Sequence, residues 1–323
     1  MIGCIPWPVR PRKRGRPYVY TPTVILRCFI VRIWFRLDSN NGLHTFLDTD
    51  CQYNRKLVLA CGLITIPNRR TFDRRLKTIS TDIKERISTM GYLFVVEGLV
   101  DISITAIDST LLKAKGPVWH KSSMEKGEVP RSGIDTGARW GYSHTKGWVF
   151  GYKLHITSTT GELVLPLTAD VTTANVPDNR MYVSLTFPSS SSSSVFSLPS
   201  ALYMVADPGY DKKLYEYSKK VLGIDLVCPV ERYENTPKKR LELVCFYQST
   251  VGQAIYSRRR ISIEPLIEHI KSVFRIDSLP ARGFHTVSAI VLLSVLLYQI
   301  MVYYNCKTEK INPKSIKYML GTG

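Results

Sequence analysis

Three carboxylates stand where the sequence could do chemistry. Asp108 follows an apolar, β-rich run over residues 102–107, Asp207 follows another over 202–206 and leads into Pro208-Gly209-Tyr210, and Glu264 sits in Arg260-Ile261-Ser262-Ile263-Glu264-Pro265. An ionised carboxylate at the edge of an apolar core is costly unless it is paired or binds a cation. Either aspartate alone reads equally well as a turn former or helix cap, and Glu264 as a helix N-cap. Together they point elsewhere. If their two strands are neighbours and the late helix packs beside them, all three converge at one sheet edge. Converging carboxylate oxygens favour hard divalent ions, Mg²⁺ or Mn²⁺, over zinc. Two such ions about 3.5–4 Å apart suit in-line phosphoryl transfer, one activating the attacking hydroxyl and the other stabilising the leaving oxygen.

The elements that must position these groups follow from patterning. Residues 102–109 read as a strand that Asp108 closes. Residues 116–141 are polar and Gly-containing and read as a long loop. Residues 148–157 and 162–170 form a hairpin across Thr159-Thr160-Gly161. A short helix starts at Asp178, which would cap it. Residues 189–194 are six serines, a surface linker. Strands at 202–206 and 224–230 alternate with a helix over 211–222. Residues 238–247 read as an extra strand and 261–274 as a helix with Pro265, and therefore Glu264, in its first turn. Three early strands close enough for an antiparallel meander, then strands alternating with helices, predict an α/β domain with a mixed five-stranded sheet flanked by helices. That is the order of a ribonuclease H-like domain. Residues 287–304 are apolar enough for a membrane span. They carry Ser288, Ser294 and Gln299, however, and read as a buried helix, with a membrane anchor as the rival reading.

The chain has 323 residues with 44 Lys+Arg against 26 Asp+Glu, a formal charge of +18. At 44% hydrophobic residues it can build a core, which excludes a chain disordered throughout, and its charge calls for a polyanionic partner such as DNA. Residues 1–100 hold 17 Lys/Arg and 7 Asp/Glu, a net of +10 by subtraction. An extended arm over residues 1–20 includes Arg14-Gly15-Arg16-Pro17. This core resembles an AT-hook reading a narrow minor groove, and a phosphate-binding arm blind to sequence explains it equally. Helices over 24–37 and 56–63 and a basic helix capped by Asn68 follow. In the last, Phe72, Leu76 and Ile79 share one face, while Arg69, Arg70, Arg74 and Lys77 share the other. This suggests a helix-turn-helix within a small helical DNA-binding domain over 21–98, unless the basic face is merely solvated. The catalytic domain would span 99–305, with the Ser-rich linker 187–200 inside it, and a basic tail 306–323. Seven cysteines without a CxxC pair argue against a zinc ribbon or disulfide framework, and with no secretory signal visible a cytoplasmic location is expected.

These residues carry a resemblance to DDE transposases of the insertion-sequence type found in bacteria and archaea, over roughly residues 69–305. The family's acidic positions fall on Asp108, Asp207 and Glu264. Its Tyr-x2-Arg-x3-Glu-x6-Lys helix motif is kept as Arg260-x3-Glu264-x6-Lys271, while Tyr256 lies one residue early and Ser257 holds the expected place. Gly151-Tyr152-Lys153-Leu154-His155 and Asp207-Pro208-Gly209-Tyr210-Asp211 also look like family segments. The resemblance implies binding of terminal inverted repeats, cleavage and strand transfer with two Mg²⁺ or Mn²⁺ ions, Arg260 and Lys271 at the DNA backbone, and a homodimer joining two ends. Glu268, one turn after Glu264, is the rival third carboxylate. Lys153, His155 and Asp178 face either the site or structure, and Trp119, Trp140 and Trp148 are expected in packing rather than stacked on a base. A copy that binds DNA but has lost catalysis is the alternative. The arm's charge generates a test: removing residues 1–17 weakens DNA binding and flattens its salt dependence, and an unchanged salt slope would eliminate a phosphate-binding role for the arm.

Overall fold

The computed structural model describes residues 19–143, 146–186, 201–230, 233–308 and 312–321. Arg14, Arg16 and the serine tract lie outside them. Thr21 accepts the Val24 N–H and Pro22 takes the first helical position, which starts α1 (Pro22–Trp34). Ser39 likewise caps α2 (Asn40–Asp48) by accepting from Gly42. Helix α3 (Gln52–Cys61) stops at Gly62, whose φ of 80° is the left-handed conformation that ends helices. Asn68 accepts the Arg70 N–H and opens α4 (Arg69–Leu76), and α5 (Ser80–Val96) follows. On α4 the apolar and basic faces divide as expected: Phe72 and Leu76 are buried, while Arg69, Arg70 and Arg74 are exposed.

The chain then enters the sheet: β1 (Ile104–Lys113), a short α6 (Lys121–Glu125), β2 (Arg139–Ser143), β3 (Gly147–Thr159) and β4 (Pro166–Thr173). After α7 (Tyr182–Leu185) come β5 (Tyr203–Val205), α8 (Asp211–Tyr217), β6 (Asp225–Val227), α9 (Lys238–Gln248), α10 (Thr250–Phe274), α11 (Phe284–Thr308) and α12 (Ile316–Met319). The strand order is β2-β3-β1-β5-β6, with β4 also paired to β3. β3 is antiparallel to β1, β2 and β4, whereas β1–β5 and β5–β6 are parallel. This is the mixed, helix-flanked, ribonuclease H-like sheet expected.

Three local readings are corrected. The sheet has six strands rather than five, because β2 starts in the last residues of the stretch read as loop and runs past it. Its five residues, RWGYS, are too few to declare a period, and they are ordered by pairing with the first half of β3. Residues 238–247 are not an extra strand but α9, in keeping with their Lys, Arg, Leu and Glu helix formers and the single β-branched Val244. The late helix starts at Thr250, where Ser249 accepts the Gly252 N–H, rather than at 261.

Helix α11 is apolar on every side because protein surrounds it. It is long and apolar enough to cross a membrane, yet it packs against α1, α5, α10 and β4. Its polar groups are used internally: Gln299 donates to the carbonyls of Ile87 (2.9 Å) and Pro166 (2.8 Å), tying α11 to α5 and the start of β4. One apolar core runs from Ile25 on α1 through α11 to the sheet, so it crosses the expected boundary at 98/99.

Gly151 is the tightest point of the sheet. It pairs with Lys113 on one side and Arg139 on the other, and an added Cβ would lie 1.9 Å from the Leu112 carbonyl oxygen. Gly151→Ala is expected to destabilise the fold by about 2 kcal/mol or more in urea unfolding. Gly161→Ala, where a Cβ meets nothing within 4 Å, serves as the neutral comparison. Equal midpoints for the two variants would show that β1 and β3 can part there without cost.

Candidate active site

The parallel register of β1 and β5 decides where two of the carboxylates lie. Ala106 pairs with Val205, so two residues further along each chain Asp108 and Asp207 fall side by side. β5 ends at Val205 while β1 continues to Lys113, so Asp108 sits in mid-strand, not at the strand end as expected. Asp108 faces Ile156 on its other side. Helix α10 packs on β1, β3, β5 and β6 and buries Ile255, Ile263, Leu266, Ile267 and Ile270. That contact leaves Arg259 and Glu264 beside the aspartates.

One guanidinium gathers all three acids. Arg259 Nη2 lies 2.9 Å from Asp108 Oδ2 and 2.8 Å from Asp207 Oδ1, and Nη1 donates to Glu264 Oε1 at 2.7 Å. Burial pushes the Asp108 carboxyl up to about 6, with Arg259 opposing and Asp207 adding to the rise. Burial likewise raises Asp207, again against Arg259, with Glu264 and Asp178 as further like charges. Burial also works against the Arg259 charge, but the three carboxylates outweigh it and hold the guanidinium above its ordinary range. The cluster therefore demands positive charge.

Glu264 lies well inside α10 rather than in its first turn, so no helix N-terminus stabilises it. Pro265 is tolerated in mid-helix although it has no N–H for the Ile261 carbonyl. Ile261 is 72% exposed, so water can take that bond.

A second layer sits behind the aspartates. Asp178 does not cap its short helix. It accepts instead from Lys153 Nζ at 2.9 Å and Ser109 Oγ at 2.8 Å. His155 is fully buried, with Nε2 2.9 Å from Thr172 Oγ1 and Nδ1 3.7 Å from Asp178 Oδ1. Tyr210 is buried, its hydroxyl has no hydrogen-bond partner among the described residues, and burial followed by the charges of Asp178, Asp108 and Asp207 opposes its ionisation.

Other expected site residues lie apart from this cluster. Lys271 is only 2% exposed and is held by Glu268 (2.7 Å) and Asp277 (3.2 Å), so it presents no cation to a DNA backbone. The same pair accounts for Glu268, which lies outside the Arg259 cluster. Arg260 is exposed. Tyr256 is half-buried edge-on against Tyr247, and Ser257 donates to the Ala254 carbonyl. Trp119 and Trp140 pack as expected, linked by Trp140 Nε1 donating to the Trp119 carbonyl. Trp148 does not, because it is 61% exposed on the β2–β3 hairpin, edge-on to Tyr142 and under Lys121. Sequence reasoning missed Arg259 and Tyr210 as site groups. Arg259 had one signal, its place beside Arg260 of the motif. Tyr210 had another, its place in the segment that begins with Asp207.

The donor chemistry fits hard dications, since three carboxylates meet at one point and already bind a cation there. As arranged, no group of three His, Cys, Asp or Glu side chains among the described residues is poised to hold a metal ion, because the Arg259 fork stands between them.

His155 supplies a pH test. Burial lowers its pKa from 6.5 to about 4, with Lys153 reinforcing and Asp178 opposing. Its folded-state value is depressed, so its stabilising contribution is complete above about 6.5 and is lost as pH falls toward 4. Thermal melts should show an acid-side loss of up to about 3 kcal/mol that is absent in His155→Gln. Parallel pH profiles for the two proteins would mean that other groups set the acid sensitivity.

The pattern of the family described as "Transposase DDE domain" matches residues 100–300. Two solved structures are similar. One is a piggyBac transposase synaptic complex with hairpin DNA, at 10% identity over 96% of this chain and 72% of that chain, with a TM-score of 0.37. The other is a pre-cleavage Mos1 transpososome, at 12% identity over 89% of this chain and 81% of that chain, with a TM-score of 0.20. At those TM-scores neither likeness bears weight for fold or function. No curated protein matches the sequence. The family match runs from just before β1 into α11 and takes in Asp108, Asp207, Glu264 and Arg259; covering well over half of the 323 residues, it shows that this chain belongs to the DDE-domain transposases.

Proposed function

We propose that this transposase cuts DNA at the ends of its own insertion sequence and joins the freed ends to target DNA, using Asp108, Asp207 and Glu264 as ligands for two Mg²⁺ or Mn²⁺ ions. The observation that carries the reading is the convergence of these three acids on one cation beside the central strands β1 and β5, inside the region matched to the family. Bound dications would supply activation of the attacking oxygen and stabilisation of the leaving oxygen. Asp108 and Asp207 are fixed by the backbone register and Glu264 by the packed face of α10, so the chain positions its donors before DNA arrives. In the first step water attacks the phosphodiester at the element end, the P–O3′ bond breaks, and the 3′ oxygen leaves as a hydroxyl. That hydroxyl then attacks a target phosphodiester, forming one P–O bond as another breaks. No protein–DNA covalent link is required.

DNA would be gripped by the Arg14/Arg16 arm, by Arg69, Arg70 and Arg74 on the exposed face of α4, and by Arg260 beside the site. Their charge and exposure support phosphate contacts that hold the ends in register. Two element ends must meet target DNA together, which calls for a homodimer in the DNA complex. Such a protein acts in the cytoplasm of a prokaryote, on the nucleoid.

The test is metal-dependent cleavage of the inverted-repeat ends that flank the gene. Asp108→Asn and Glu264→Ala should lose roughly 10²–10³-fold or more in cleavage while end binding stays near the wild-type level, and Glu268→Ala should cleave normally. Loss of binding in parallel with cleavage would make Asp108 structural. Tight end binding without cleavage in either metal would instead identify a copy that has kept recognition and lost catalysis.

A further inference from the structure

We propose that Arg259 is a built-in stand-in for the catalytic ions: it holds the three carboxylates together in the metal-free protein and must leave them for an ion to enter. This rests on reading Asp108, Asp207 and Glu264 as metal ligands. The helix motif's arginine position falls on Arg260 counted back from Glu264 and on Arg259 counted forward from Tyr256, and the bridging role follows from the geometry alone.

The same oxygens cannot serve a guanidinium and a dication. Nη2 is shared between Asp108 and Asp207 and Nη1 is committed to Glu264, so one side chain takes an oxygen of every ligand. The three acids need that charge, because without it two carboxylates side by side in register and a third on the helix would repel each other. The chain thus keeps its ligand set assembled by occupying it.

Two features allow exchange. The carboxylates of Asp207 and Glu264 are 46% and 45% exposed, so the cluster opens to solvent on their side. Arg259 is also incompletely satisfied where it is, since its buried Nε has no hydrogen-bond partner among the described residues. Arg258 and Arg260 on either side of it are exposed. Once displaced, Arg259 completes a run of three arginines on α10 next to the ligand set. There a guanidinium fork suits a DNA phosphate, which offers the oxygens the carboxylates have withdrawn. Metal entry and phosphate capture are then linked: DNA favours the released arginine, and the released arginine leaves the ligands free.

The test is Mn²⁺ binding to the full chain without DNA, with free Mn²⁺ read by electron paramagnetic resonance. If the bridged state dominates, apparent affinity is reduced by the fraction of molecules in the open state, so Arg259→Gln should bind Mn²⁺ about tenfold or more tightly than wild type. Arg259→Lys keeps the charge but not the fork and should fall between them. It carries the test if the glutamine variant does not fold, as judged by circular dichroism. Adding Asp108→Asn to Arg259→Gln should abolish the tight site. Equal or weaker binding in both Arg259 variants, with binding still sensitive to Asp108→Asn, would overturn the stand-in role and leave the metal site intact. Mn²⁺ binding indifferent to Asp108→Asn would place the ion elsewhere and overturn both readings.

Discussion

Three carboxylates brought within reach of a single side chain repel one another, and Arg259 meets that repulsion beside the central strands β1 and β5. The forces behind the arrangement are large and opposed. Burial pushes Asp108 toward its neutral form, and Asp207 adds like charge beside it. Neither aspartate can retreat, because backbone register sets them abreast. Nor can Glu264, since the helix that carries it is pinned by a continuous apolar face. A cation is the remaining way to reconcile these constraints. In this respect the site resembles a metal centre built with a protein side chain in the metal's place.

The rigidity that makes this possible comes from elsewhere in the chain. Helix α11 fills the space between α1, α5, α10 and β4, and Gln299 satisfies two backbone carbonyls on different elements with one amide. A helix apolar all round can only be a core or a membrane span. The internal use of Gln299 and the enclosing elements fit the core. The absence of any Cβ at Gly151 lets β1 and β3 approach where β2 joins, which keeps Asp108 in register with the strand behind it. The site is thus positioned by strand register and by the packing of α10.

What the sequence disclosed, and what it hid, follows from the range of the interactions. Asp108 and Asp207 were legible because each interrupts or ends an apolar run, a local feature. The basic and apolar faces of α4 were legible for the same reason, as helical spacing is also local. Glu264 was identified by its spacing to Arg260 and Lys271, but its setting was misjudged. Pro265 looks like a helix start, yet α10 runs through it from Thr250 to Phe274. β2 was invisible because a five-residue strand is ordered by its partner. Arg259 was overlooked because three consecutive arginines look like a solvated face, and the carboxylates that claim the middle one are distant in sequence. Residues 1–18 lie outside the described structure, so the arm remains an inference from sequence.

The same comparison changes how the charge of +18 should be interpreted. Net charge suggests a polyanion partner, but several cations are spent inside the fold. Arg32 is buried, donating to Asn40 and to the carbonyls of Leu37 and Asp38 at the α1–α2 junction. Lys153 is held by Asp178, Lys271 by Glu268 and Asp277, and Arg259 by the three acids. Lys271 is the instructive case, since motif spacing put it at the DNA, yet it lies almost wholly inside the fold. The cations that a phosphate could reach are those on exposed faces, such as Arg70 and Arg74 on α4, so position on a face, not count, identifies them. Arg259 alone belongs to both groups, bound inward while the ligands lack metal and free to face outward once they hold it.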